Sequence, residues 1–275
     1  MFVYKKRYDF PVAFLFMLFV QLLWVSAAPV CAEQIIISTF EYPPFMSSDR
    51  TTGKVYGLGI DITRAAFQKA GIVPQFKFYP MKRVVHLFES GKLNASLGTI
   101  TQFKDMGSQR STSRVEIFPL SFVFFYFHDK LGRITYNQLA DLKSYMIGNV
   151  RGSITYSIIS GAGLTMDLTH SVEQNIIKFI YGRHDLCVAE EQAGKMLIKN
   201  RYPGVYQHVS VVDRPICNVP MTLNLTGKYE HFNIRFREGL KQIKNDGTFV
   251  KIAGKYLGNE KAFALQSADL LFLNE

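Results

Sequence analysis

The sequence predicts an α/β fold of two lobes, each a mostly parallel sheet flanked by helices, joined by two hinge segments. Three observations carry this. Short β-branched runs alternate with amphipathic helical runs from Gln34 onward, an order that favours a parallel sheet covered by helices. A second such series follows the apolar run 121–127. A further apolar run, 220–225, is placed to return the chain to the first lobe, where the last helices complete it. Two lobes joined by two crossing segments make a hinged clamp.

Residues 34–39 form a short buried strand. Phe40-Glu41-Tyr42-Pro43-Pro44-Phe45 follows, and its two prolines stop the strand and stiffen the loop. Tyr42 and Phe45 therefore stand at a strand's carboxyl end, where the rings either wall a ligand or pack under the loop. Gly57-Leu58-Gly59-Ile60-Asp61 leads into a helix over 62–70 closed by Gly71, with Asp61 as its cap. Residues 75–79 alternate as a strand. Residues 81–89 read as a helix with Val84, Val85 and Phe88 inward, and 95–99 as a strand ending at Thr99, a candidate ligand contact. Residues 101–117 are polar and loop-like, and hold Lys104, Arg110 and Arg114.

In the second series, 137–144 reads as helix and 146–150 as strand. Arg151-Gly152-Ser153-Ile154-Thr155 then opens a helix. Ser153 and Thr155 can offer hydroxyls beside the free N–H groups of that helix start, a sound carboxylate site, though an ordinary N-cap explains the same residues. Residues 165–168 and 172–180 read as strand and helix. Gly182-Arg-His-Asp-Leu-Cys-Val-Ala-Glu190 is a turn and a short buried strand that delivers Glu190 to a carboxyl edge, where ligands of open α/β sheets sit. A carboxylate there pairs with an ammonium group, or simply heads the next helix, 191–200. Strands over 205–212 and 217–225 are interrupted by Pro215 and Pro220, helices cover 232–243 and 249–257, and an apolar patch at 270–273 ends the chain. The expected boundaries are 33–122 with 220–260 for the first lobe, 123–219 for the second, and 261–275 for a tail.

The 275 residues are 48% hydrophobic and 20% charged, a globular composition. Residues 1–32 are expected to be a cleaved signal peptide: Lys5, Lys6 and Arg7 precede a short apolar run, and Val30-Cys31-Ala32 supplies small residues at cleavage spacing. Removing Lys5, Lys6, Arg7 and Asp9 takes two off the formal charge of +10. The remaining basic residues are scattered, without a nucleic-acid motif. Cys187 and Cys217 either pair or stay as thiols. No Cys/His spacing suggests a zinc site, and no cofactor is expected.

Tyr42-Pro-Pro-Phe45, Gly57-Leu-Gly-Ile-Asp61, Tyr79-Pro-Met-Lys-Arg83, Glu89-Ser-Gly-Lys-Leu-Asn-Ala95, Arg151-Gly-Ser-Ile-Thr155 and Gly182-Arg-His-Asp185, in that order, resemble the extracellular solute-binding proteins of family 3, the periplasmic receptors of polar amino acid ABC transporters. The resemblance implies a type II periplasmic binding fold that closes on its ligand. It implies an arginine grip on the ligand carboxylate, helped by hydroxyls that match Ser153 and Thr155, and an acidic grip on the ammonium at Glu190. The family's Thr-x-x-Arg appears here as Thr101-Gln-Phe-Lys104, so the carboxylate grip is assigned to Arg110, with Arg114 and Lys104 as alternatives. Met81 stands where many relatives carry an aromatic residue.

The resulting expectation is a non-catalytic, monomeric periplasmic receptor. It would bind a small polar solute, most simply an amino acid, through Tyr42, Phe45, Thr99, Arg110, Ser153, Thr155 and Glu190, and deliver it to a permease in the inner membrane. The alternatives are an enzyme on the same fold, with Glu190 as general acid or base, and a sensor for a membrane signalling protein. None of the six histidines, His86, His128, His170, His184, His208 and His231, shows a triad spacing in the sequence.

Overall fold

The structure, a computed structural model, describes residues 33–99 and 112–272. The expected leader and the segment carrying Lys104 and Arg110 lie outside the described residues. In chain order the elements are strands β1 (Glu33–Thr39), β2 (Ser47–Ser48) and β3 (Val55–Tyr56), helix α1 (Leu58–Lys69), β4 (Ile72–Phe78), α2 (Met81–Glu89), β5 (Ala95–Thr99) and β6 (Thr112–Phe127). Then come α3 (His128–Leu131), a 3-10 turn (Leu139–Leu142), β7 (Ile147–Val150), α4 (Ile154–Gly161), β8 (Met166–Thr169), α5 (Val172–Ile180), β9 (Leu186–Glu190), α6 (Glu191–Arg201), α7 (Pro203–Tyr206) and β10 (Val209–Val211). Strand β11 (Cys217–Thr226) and helices α8 (Phe232–Asn245), α9 (Thr248–Leu257) and α10 (Asn259–Phe272) complete the described chain.

The strands hydrogen-bond in the order β4-β1-β5-β11-β6-β9-β7-β8, with β10 also on β6. On one wing β1 and β5 are parallel, and on the other β9, β7 and β8 are parallel. Between them run β6 and β11, antiparallel to each other and to β5 and β9. Phe122 is where β6 crosses over: it lies opposite Cys217 of β11 and opposite Glu190 of β9. The apolar core divides at the same place. One cluster draws on β1, α1, β5, the first half of β6, β11, α8 and α9, with Phe67, Leu97, Phe118, Leu223, Phe236 and Phe249 all buried. Two further clusters cover opposite faces of the second wing, Leu186 and Val188 on one face of β9, Cys187 and Ala189 on the other. That alternation is the period of an extended strand buried on both sides.

Several elements depart from the sequence reading. Residues 112–117 are not loop but the first part of a 16-residue strand. Val115 and Ile117 are buried while Glu116 between them is exposed, so polar residues on the outer face hide the strand from an apolar-run reading. Residues 203–206 are helical, begun by Pro203, and only Val209–Val211 remains strand. The helix expected over 137–144 is a single 3-10 turn, Leu139–Leu142. Strand β11 runs straight through Pro220, which lies opposite Pro119. The pairing with β6 shifts register just beyond Pro220, between Met221 and Thr222, and a bulge is where a sheet interior takes a proline. The C-terminal residues form one helix, α10, whose Ala262 is buried in the first core.

Asp61 does not cap α1. The helix begins earlier, at Leu58, and the turn at residues 42–46 caps it instead: the amides of Leu58 and Gly59 donate to the carbonyls of Pro44 and Phe45 at 3.0 and 2.9 Å. Gly57 is required there, because a Cβ at that position would lie 2.4 Å from the Phe45 carbonyl oxygen. Asp61, in the first turn, instead accepts from Arg64 and from the Tyr256 hydroxyl at 2.6 and 2.7 Å.

Candidate functional site

The carboxyl ends of β1, β5, β7 and β9 converge on one cavity of about 940 Å3. Phe40 and Tyr42 follow β1, Thr99 ends β5, Asn149 to Gly152 end β7, and Val188 and Ala189 close β9. Helix α2 supplies Met81, Lys82, Val85, His86 and Glu89 from one side, and α4 supplies Ile154, Thr155, Ser157 and Ile158 from the other. The volume lies in the usual range for a small-molecule site, and its position at the strand carboxyl ends follows the general rule for α/β sheets.

The wall after β1 is held tightly. Thr39 donates its hydroxyl to Met46 Sδ at 2.8 Å and to the Leu97 carbonyl at 3.0 Å. The amides of Tyr42 and Phe45 bond to the carbonyls of Met46 and Tyr42 at 2.8 and 2.9 Å. Tyr42 faces the cavity, with its ring centroid 5.4 Å from that of Phe45, which is itself buried against Phe118. Burial raises the pKa of the Tyr42 phenol well above its ordinary value, and the charge of Glu190 adds to this.

The start of α4 is a cluster of hydroxyls organised by one buried amide. Asn149 Oδ1 accepts from Ser153 Oγ at 3.2 Å, from Thr155 Oγ1 at 3.0 Å and from the Val150 amide at 2.8 Å. Ser153 Oγ and Thr155 Oγ1 are 2.9 Å apart, and Ser153 is the N-cap, accepting from the Tyr156 amide at 3.2 Å. Thr169 on the neighbouring strand donates to the Asn149 carbonyl at 3.1 Å. Gly152, at φ 71°, turns the chain into the helix. The result is a positive helix end at the cavity wall, suited to a carboxylate, with two hydroxyls whose protons turn from Asn149 Oδ1 to a bound carboxylate when one is present.

Glu190 occupies a different place. It ends β9 and caps α6, accepting from the Ala193 amide at 2.7 Å. Its carboxyl lines a second cavity of about 270 Å3, together with Phe45, Leu58, Phe118, Ser121, Asn218 and the α10 residues Lys261, Ala264 and Leu265. Neighbouring residues of an extended strand point to opposite faces, and Phe122 lines the large cavity while Ser121 lines the small one. The two cavities therefore flank the hinge strands. Burial pushes the Glu190 pKa up to about 8, against the pull of the Ala193 and Gln192 amides.

Of the expected site residues, the large cavity brings together Tyr42, Thr99, Ser153 and Thr155, and the small one Phe45 and Glu190. Arg110 and Lys104 lie outside the described residues. Arg114 is opposite Asn224, four residues before Phe118, which pairs at the level of Thr99 through Met221. That register sets Arg114 well back from the strand ends. Sequence reasoning missed Asn149, Arg151, Lys82, Val85, His86 and Glu89. The spacing of Met81, Val85 and Glu89 on one helical face was the available signal for the α2 side. An amide in the strand over 146–150 was the signal for Asn149.

The Gly182-Arg-His-Asp motif is architectural. His184 is buried, with Nε2 2.9 Å from Asp167, and it packs over Gly148, where a Cβ would sit 1.9 Å from its Nδ1. Asp185 accepts from the Met146 amide at 2.8 Å. The structure does form one Ser-His-Asp chain that the sequence hid. Ser210 Oγ is 3.1 Å from His128 Nδ1, and His128 Nε2 is 3.0 Å from Asp129, which also contacts His208. These side chains are exposed beside the β6–β10 pair and line neither cavity. Cys187 and Cys217 are both free thiols. Among the described residues no three His, Cys, Asp or Glu side chains are placed to hold a metal ion, and no helix is long and apolar enough to cross a membrane.

The profile of bacterial extracellular solute-binding proteins, family 3, matches residues 35–259. No curated protein matches the sequence. Similar solved structures include a histidine kinase sensor domain with similarity to periplasmic binding proteins, at 20% identity over 82% of this chain and 96% of that one, TM-score 0.63. An ancestral arginine-binding protein bound to arginine is 22% identical over 82% and 98%, TM-score 0.60. The unliganded L-cystine solute receptor of Neisseria gonorrhoeae is 18% identical over 83% and 94%, TM-score 0.62. At these identities the likeness to the solved structures is one of fold.

Proposed function

Because the chain belongs to bacterial extracellular solute-binding protein family 3, we propose that it is a periplasmic receptor that captures a small zwitterionic solute, an amino acid or a close relative, by closing two lobes on it. The lobes in this reading are 33–122 with 220–260, and 123–219, hinged where β6 and β11 cross. The start of α4 takes the ligand carboxylate. The observation that carries the reading is that Asn149 holds two hydroxyls and a helix N-terminus at the wall of the large cavity. Arg110, from the segment bordering β5, supplies the second grip on the carboxylate, as a guanidinium can do bidentately. Glu190, the residue expected to meet the ammonium, lines the small cavity and not the large one, and it is given no ligand contact in this reading. The closed form is delivered to an ABC transporter permease.

A sensor role is the second reading, favoured by the likeness in fold to a histidine kinase sensor domain. It uses the same cleft and differs only in the membrane partner. Catalysis is not part of the proposal, although burial does raise the Glu190 pKa as a general acid would need.

A thermal-shift screen of the purified protein, refolded to strip bound solute, tests the receptor reading. The panel is amino acids, polyamines, small peptides and organic acids. A ligand that binds only the folded state at 100 times its Kd adds about 2.7 kcal/mol of stability. A shift with one or a few amino acids supports the reading, and none with any member of the panel counts against it.

A further inference from the structure

We infer that the ligand's side chain is large and uncharged, a branched, thioether or aromatic side chain, because each lobe turns an apolar stripe toward the same cavity. The inference rests on the receptor reading and specifies its ligand. On the first lobe, α2 buries Val84 and Phe88 in the core, which leaves Met81 and Val85, one turn apart, facing the cavity. Met81 is 44% exposed. On the second lobe Ile154 and Ile158, again four apart, face the cavity from α4, and Val172 joins them from the start of α5. Phe122 forms the floor at the hinge.

Of these six, Met81 is exposed and the others are half-buried, Val85, Phe122 and Val172 packing in part against the cores; single apolar side chains at a surface are ordinary, but six that line one cavity are not scattered. Closing such walls on a charged side chain would strand a charge among them, whereas an apolar one lets both stripes leave water. Among the described residues, the charged side chains that line this cavity, Glu41, Lys82, Glu89 and Arg151, and the imidazole of His86 are all exposed. The polar groups that are buried, Thr99, Asn149 and Thr155, are neutral, and Asn149 and Thr155 bond to each other.

Isothermal titration of the purified protein with leucine, methionine, phenylalanine, alanine, arginine and glutamate tests this. The inference predicts that one of the first three binds at least about tenfold tighter than arginine or glutamate. It also predicts that Ile158→Ala and Val85→Ala, one from each lobe, each weaken that ligand about tenfold while alanine binding changes less than about twofold. Tighter binding of arginine or glutamate than of any apolar amino acid overturns the ligand class and leaves the receptor reading standing. So does equal loss for alanine and the bulky ligand in both variants, which would place these side chains away from the ligand's side chain. Absence of binding by all six overturns both.

Discussion

Lys261 of α10 reaches across the back of the hinge to Glu191 at the head of α6. The next residue, Ala262, is buried in the core cluster of β1, α1, β5, β11, α8 and α9, while Glu191 follows β9 in the other wing of the sheet. Burial works to raise the Glu191 pKa, but hydrogen bonds from Lys195 and Lys261 prevail and hold it low. Gln266, one turn beyond Ala262, donates to the Lys244 carbonyl of α8 at 3.1 Å, so α10 is fastened to that core by two residues that follow this contact.

A rotation that closes the large cavity widens the opposite side of the hinge, and there it draws Lys261 away from Glu191. Lys261→Ala is therefore predicted to tighten ligand binding. The ceiling is about fivefold, since a partly exposed ion pair contributes at most about 1 kcal/mol. Titrations at low and high salt check this, because the gain should shrink as salt screens the wild-type pair. Weaker binding by the variant would mean that α10 favours closure.

Glu190 makes stability depend on pH. Its folded pKa of about 8 lies above the ordinary 4.5, so the folded state holds the proton more strongly. That contribution is fully present below about pH 4.5 and is lost as pH rises through about 8. Glu190→Gln keeps an acceptor for the Ala193 amide and removes the ionisation. Its melting temperature relative to wild type should rise from pH 5 to about pH 8 and level off above it, and a constant difference from pH 5 to pH 9 would show that the carboxyl is not held neutral.

Gly239→Ala should be among the most damaging conservative changes in the chain. A Cβ there would stand 2.0 Å from the Ala66 carbonyl oxygen, where α8 meets α1, and backbone atoms cannot swing aside. Overpacking of a core typically costs about 1–3 kcal/mol, and this contact belongs at or above the upper end. Urea unfolding of the variant gives the figure directly.

Much of the architecture is legible because burial writes itself into the sequence. Helices Met81–Glu89 and Val172–Ile180 and strands Ala95–Thr99 and Leu186–Glu190 follow from apolar period and glycine stops. What stays hidden is set by partners distant in sequence. The first half of β6 is half polar because its outer face meets solvent, and β11 carries Pro220 beside a register shift that only its pairing with β6 reveals. At the site, the hydroxyls of Ser153 and Thr155 can be read from a helix start, but Asn149, which aims them, cannot. Glu190 shows the limit most plainly. The structure shows the helix cap, and the sequence offers no way to see that the residue lines the small cavity while Ser153 lines the large one.

The claim that the large cavity is a cleft that closes on its solute is tested most directly by small-angle X-ray scattering. The measurement compares wild type and Thr155→Val, each with and without saturating ligand from the thermal-shift screen. The account predicts a smaller radius of gyration for liganded wild type. It also predicts weaker binding by Thr155→Val, which keeps the Ser153 cap and the fold but loses one hydroxyl, so that more ligand is needed for the same contraction. An unchanged radius at saturation, or a contraction at the same ligand concentration in both proteins, would contradict it.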